Sequence, residues 1–184
     1  MLISHNREKL INAIIYFVEE TGSCGKIKLF KLLYFLDFEH YKLTGRSVTG
    51  LDYFAWRMGP VPVALMDELE IPAQDFSSKI EIEQIPTTHN KAMLSLRAKA
   101  PFDPSHFTKR ELNLLKELAD QYALSRADEM IEYTHAPTLP WHQVFEEEKR
   151  PQAQIPYAYA LAAEEREAIL GLALENEEMR HNYQ

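Results

Sequence analysis

The sequence predicts a mainly helical α+β domain, compact around one central buried helix at about residues 26–43, with one small antiparallel β-hairpin at about 79–98. Three patterns indicate this fold class. Residues 26–43 are the densest apolar stretch, too long for one strand and apolar on most sides, as in a helix at the centre of a domain. Helical periodicity recurs in other segments, and two alternating segments predict the hairpin.

The first helix is predicted over residues 7–20. Its apolar residues recur at spacings of three and four: Leu10, Ile11, Ile14, Ile15 and Val18. Asn6 is the expected N-cap, and Gly22 is the expected residue just after the helix end. Thr44 and Gly45 then end the central helix.

The segment 51–58 is short and aromatic, which favours extended or irregular structure. The residues Gly59–Pro62 follow as a turn, because glycine frees the angle φ and each proline fixes it near about −65°. Pro62 suits the first turn of a helix that runs through Leu69.

Residues 79–85 and 93–98 alternate between apolar and polar side chains, which predicts two strands. The residues from Pro86 to Ala92 suit the connecting loop. The pair is therefore expected to form an antiparallel hairpin whose outer face is polar.

The second half of the chain is expected to be helical. Thr108 and Glu111 have the spacing of a capping box, and Phe107 and Leu112 stand at the flanking staple positions, so a helix should run from there to about Tyr122. Further helices are predicted over 125–133, 141–148 and 161–180.

Acidic charge is concentrated after the first 46 residues. The net charge is −8, with +2 on residues 1–46 and −10 on residues 47–184. This balance disfavours wrapping of nucleic acid and suits either a basic protein partner or a solvated acidic surface. We divide the chain into a domain at 1–156 and an acidic helical extension at 157–184, which can dock on the domain.

The composition predicts a cytoplasmic protein. The single Cys24 excludes an internal disulfide framework. No apolar run approaches the roughly 20 residues that cross a bilayer, so no membrane partner is expected.

The residues predict no catalytic constellation, no cofactor and no metal site. Asp37 and His40 are three apart on one helix, but two ligands do not close a metal site. Cys24 at a helix start would favour a thiolate, yet no nucleophile signature surrounds it. We therefore expect a binding protein rather than an enzyme, with thiol chemistry at Cys24 as the weaker alternative.

One long string of residues in the central helix is followed about 20 residues later by a fixed turn. The string and its sequel read Lys28-Leu29-Phe30-Lys31-Leu32-Leu33-Tyr34-Phe35-Leu36-Asp37-Phe38, His40-Tyr41, Gly45-Arg46-Ser47, Thr49-Gly50, Tyr53 and Gly59-Pro60-Val61-Pro62. This combination resembles the Panacea or SocA-like antitoxin domain, formerly the phage-associated protein family, over about residues 7–150. His135 and Pro140-Trp141 are similar to the family's closing motif.

The resemblance implies a mostly helical fold with a small hairpin and the role of antitoxin in a bacterial or phage-borne toxin–antitoxin pair. Family members bind unrelated toxins directly, without a cofactor or catalysis. We nominate the polar and aromatic motif positions as the toxin-binding surface: Lys28, Lys31, Tyr34, Asp37, His40, Tyr53, Trp56, Gly59, Pro60, Val61 and Pro62.

The expected partner is a cognate protein toxin, basic to complement the acidic chain. A protease adaptor is the alternative role, and a protease would then be a second partner. A DNA-binding regulator is disfavoured, because residues 108–133 hold more acids than bases. The sequence leaves the oligomeric state open, and a homo-oligomer is compatible with it.

Overall fold

The fold is organised around one long helix. In the computed structural model, which describes residues 5–86, 92–162 and 166–182, helix α1 (His5–Glu20) is followed by α2 (Lys26–Thr44). Helix α2 buries 12 of its 19 residues. It contacts helices or strands on several sides, which confirms the predicted central helix.

The other elements are short and follow in chain order. They are strands β1 (Phe54–Trp56) and β2 (Gly59–Val61), helices α3 (Val63–Glu70) and α4 (Gln74–Lys79), strands β3 (Ile80–Pro86) and β4 (Ala92–Ala98), and helices α5 (Lys109–Tyr122), α6 (Ala127–Thr134), α7 (Pro140–His142) and α8 (Arg166–Asn182). A π-helical turn, Gln143–Glu147, extends α7, and Tyr157–Ala160 forms a 3₁₀ turn. The predicted mainly helical α+β class is confirmed.

The described residues contain two antiparallel hairpins where the sequence predicts one. The expected hairpin pairs Ile80 with Ala98. The additional one pairs Trp56 with Gly59 across a two-residue loop. Its strands have three residues each, too few for an alternating pattern to show in the sequence. The predicted loop at 86–92 lies largely outside the described residues.

Helix α1 ends at Glu20 as predicted, but its start differs from the prediction by two residues. Helix α1 begins at His5, so Asn6 lies within its first turn instead of capping it. Gly22 follows the end of α1 as expected, and the left-handed conformation in this turn is taken by Ser23, with φ of 50°. By contrast, Thr108 and Glu111 form the predicted capping box, and α5 ends at Tyr122 as expected.

Helix α1 is fixed to later elements by ion pairs. Arg7 forms salt bridges with Glu68 of α3 and Asp75 of α4. Lys9 donates to the buried Glu111 carboxylate at 2.5 Å, which joins α1 to the start of α5.

The segment after residue 156 packs against α2. The Tyr157 hydroxyl donates to the Leu51 carbonyl at 2.5 Å, and its ring stacks on Phe38 at 4.4 Å. Helix α8 packs against the end of α2, where the left-handed Gly45 lies against the backbone of Ile169 and Ala173. Residues 163–165 of the predicted 161–180 helix lie outside the described residues. No helix in the described ranges is long and apolar enough to cross a membrane.

Candidate functional site

The motif residues nominated for partner binding lie almost entirely inside the domain. Trp56 is partly exposed. The other ten are buried: Lys28, Lys31, Tyr34, Asp37, His40, Tyr53, Gly59, Pro60, Val61 and Pro62. A partner that docks on this conformation meets Trp56 directly, whereas the ten are largely enclosed by neighbouring elements. Their contacts show what each of them holds in place.

Asp37 organises the loop that follows α2. One carboxylate oxygen accepts from the backbone N–H groups of Val48 and Thr49, at 2.8 and 2.7 Å. The other accepts from the Thr49 hydroxyl at 2.5 Å and the Tyr53 hydroxyl at 2.6 Å. Burial raises the pKa of Asp37 to about 6, whereas the four donors favour its ionised form.

Two lysines of α2 hold backbone carbonyl groups. The Lys28 ammonium donates to the carbonyls of Gly22 and Ala123, each at 3.0 Å, and so joins the α1–α2 turn to the end of α5. The Lys31 ammonium donates to the Pro60 carbonyl at 2.8 Å and fixes the β1–β2 hairpin to α2. Burial lowers the pKa of Lys31 to about 7.

Stability should depend on the protonation of Lys31. The unfolded side chain binds a proton up to its ordinary pKa of 10.5, whereas the folded one binds it only below about 7. The unfolded state therefore holds more protons between these values, so this group makes stability rise with pH by up to about 1.4 kcal/mol per unit. Urea unfolding at pH 6.5, 8 and 9.5 should show that Lys31→Met flattens the rise. If stability rises with pH equally in the variant and the wild type, the claim that burial lowers the pKa of Lys31 is wrong.

His40 continues the same internal network. Its Nδ1 lies 2.7 Å from the Arg46 carbonyl oxygen, which can only accept, so Nδ1 carries the proton. Its Nε2 lies 4.0 Å from the Glu111 carboxylate, which also receives Lys9. Burial lowers the pKa of His40, which favours the neutral ring.

The motif aromatics pack against one another. The Tyr34 ring lies 4.4 Å from Phe38 and 5.6 Å from Tyr53. The Trp56 carbonyl accepts from the Trp141 indole at 2.9 Å, and Trp141 stacks on His135 with ring centres 3.7 Å apart. The closing motif is thus joined to the additional hairpin.

The described residues give little support to the thiol and metal chemistry considered from the sequence. Cys24 is buried, and burial raises the pKa of its thiol to about 11, which opposes the thiolate expected at a helix start. Within the described ranges, no group of three His, Cys, Asp or Glu residues is placed to hold a metal ion.

An open groove of about 460 Å³ lies between α2, α5 and α6, and we refer to it as the α2–α5–α6 groove. Its floor contains a run of three aromatic rings. Phe35 stacks on Tyr122 at 5.3 Å and 10°, and Tyr122 lies 5.5 Å from Tyr133, which is 43 % exposed. Glu39 and Glu132 also line the groove. Sequence reasoning missed this site, because it joins residues that are far apart in the chain.

Two other concave surfaces have basic residues in their linings. Lys26 lines one between α3 and the β3–β4 hairpin. The other, beside the start of α5, is lined by several basic residues, including Arg46, Lys109 and Arg110. Among these three surfaces, only the α2–α5–α6 groove has acidic residues without a basic one in its lining.

Comparison with protein-family models identifies a family for this chain. A family model described as antitoxin SocA-like, Panacea domain, matches residues 29–142, which is more than half of the chain. This range contains most of α2, both hairpins, α5, α6 and α7. Neither the curated proteins nor the solved structures give a match.

Proposed function

Because the chain belongs to the family of SocA-like antitoxins with a Panacea domain, we propose that it neutralises a cognate protein toxin by direct binding. The observation that carries this proposal is the family match over residues 29–142. The matched range covers most of the central helix and many of the elements that pack on it, so the match concerns more than one short motif.

The internal contacts support a binding role without catalysis. Four donors surround the Asp37 carboxylate, and a carbonyl holds the Lys31 ammonium. A general acid or base must reach a substrate, whereas these groups face the protein itself. The motif residues then serve the function by holding a rigid framework, and the partner meets the surface that this framework presents.

Co-expression tests this function. The products of the genes that flank this one are expressed singly and together with the chain. We expect one of them to arrest growth alone, to be harmless with the chain, and to purify with it in a fixed ratio. If the flanking product instead disappears faster when the chain is present, the chain is a protease adaptor. If no flanking product is toxic or binds, the proposal is wrong.

A further inference from the structure

We propose that a basic segment of the toxin docks in the α2–α5–α6 groove. An apolar side chain of this segment, flanked by the toxin's own Lys or Arg residues, inserts into the groove. This inference rests on the proposed function and adds to it the surface and the chemistry of the partner. The groove has an apolar floor and an acidic rim. The floor favours an apolar side chain of the partner, and the rim favours positively charged residues beside it.

The floor is suited to an apolar anchor. Phe35 and Tyr122 are nearly parallel, and both are largely buried at the base of the groove. The Tyr133 ring continues this surface and remains 43 % exposed. Exposed tyrosine beside a buried aromatic floor is typical of interface hot spots, because the ring gives a large apolar area with little conformational entropy to lose.

The rim is acidic. Glu39 of α2 and Glu132 of α6 line the groove, and none of its lining residues is Lys, Arg or His. Lys42 donates to one oxygen of Glu39 at 2.7 Å, so Glu132 is the less neutralised of the two. An incoming cation would meet uncompensated negative charge there, and the net charge of −8 attracts it from a distance.

Charge argues against two other occupants. Residues 157–184 carry a net charge of −4, so their insertion would place acids against the acidic rim. Helix α8 also already packs against the end of α2. A second copy of the chain would bring its own charge of −8 to the same surface. Like charges across an interface are unfavourable, whereas a basic toxin is complementary.

Charge reversal at the rim tests the proposal. The probe is the flanking-gene product that the wild-type chain neutralises, and affinity is measured by calorimetry or by dissociation rate. Glu132→Lys should weaken the complex at least about tenfold. The matched control is Asp120→Lys, an equal charge reversal at an exposed position of α5 on the side away from the groove. This control should bind within about twofold of the wild type.

A second pair of variants tests the apolar surface that Tyr133 contributes to the groove. Tyr133→Ala should also weaken the complex at least about tenfold. Its control is Ile71→Ala, which removes a more exposed apolar side chain outside the groove and should have little effect. Unchanged melting temperatures verify that all four variants are folded.

The outcomes separate the two proposals. If the wild-type chain binds no toxin, the proposed function fails and the groove proposal fails with it. If the wild type binds and both groove variants bind equally well, only the groove proposal is wrong. If the groove variants instead change the oligomeric state of the free chain, the groove is an interface between copies, which also overturns the proposal.

Discussion

Asp37→Ala is expected to lower the free energy of unfolding by about 4 kcal/mol, because it leaves four buried donors without an acceptor. Two of these donors are backbone N–H groups that shape the loop after α2, and two are hydroxyl groups of Thr49 and Tyr53. The loop would lose the contact that fixes it to the central helix. Urea unfolding followed by circular dichroism measures the change.

Graded variants identify the cause of that loss. Asp37→Asn should cost less than Asp37→Ala, since its carbonyl oxygen can still accept from the backbone and its amide can donate to the hydroxyl oxygens. Tyr53→Phe removes one donor and should cost about 1–2 kcal/mol. The control Asp52→Asn changes an exposed carboxylate and should stay within about 0.5 kcal/mol of the wild type. If Asp37→Ala is as stable as this control, the carboxylate does not organise the loop.

Gly59→Ala is expected to lower the free energy of unfolding by about 2–4 kcal/mol. Gly59 has φ of +95°, which side-chain-bearing residues rarely adopt. A Cβ atom there would lie 2.7 Å from the Thr134 hydroxyl oxygen and 2.8 Å from the Lys31 nitrogen. Either the hairpin or the Lys31 and Thr134 side chains would have to shift, and either movement would disturb the hydrogen bond from Lys31 to the Pro60 carbonyl.

Gly22→Ala is the control for this glycine. Its φ is not positive, and an added Cβ would make an ordinary 3.6 Å contact with the Ala123 carbonyl oxygen. Thermal unfolding of both variants should show a marked drop in melting temperature for Gly59→Ala and a small change for Gly22→Ala. Equal effects would show that the close approach of β2 to α2 is not required.

Local patterns in the sequence were sufficient to predict most helices and the longer hairpin. The capping box at Thr108 and Glu111 is a fixed spacing of suitable residue types, so the start of α5 could be predicted. The central helix followed from the length and apolar coverage of residues 26–43. The three-residue strands β1 and β2 are held by Lys31 and Trp141 from elsewhere in the chain, and no local pattern reveals such support.

The sites were harder to predict than the fold. Lysine, aspartate and histidine are usually exposed, so their presence in the central helix suggested a surface. The structure buries them with partners that come from other elements, which a local pattern does not contain. The α2–α5–α6 groove joins Phe35 to Tyr122, 87 positions apart, and their proximity depends on how α2 and α5 pack.

Titration of the purified toxin with the purified chain tests the central claim most directly, because neutralisation by binding is stoichiometric. We expect calorimetry to give one saturable complex of fixed ratio and toxin activity to fall in proportion to the complex formed. Full neutralisation at a small fraction of that ratio, or neutralisation without a complex, would contradict direct binding and would point to catalysis or to control of toxin expression.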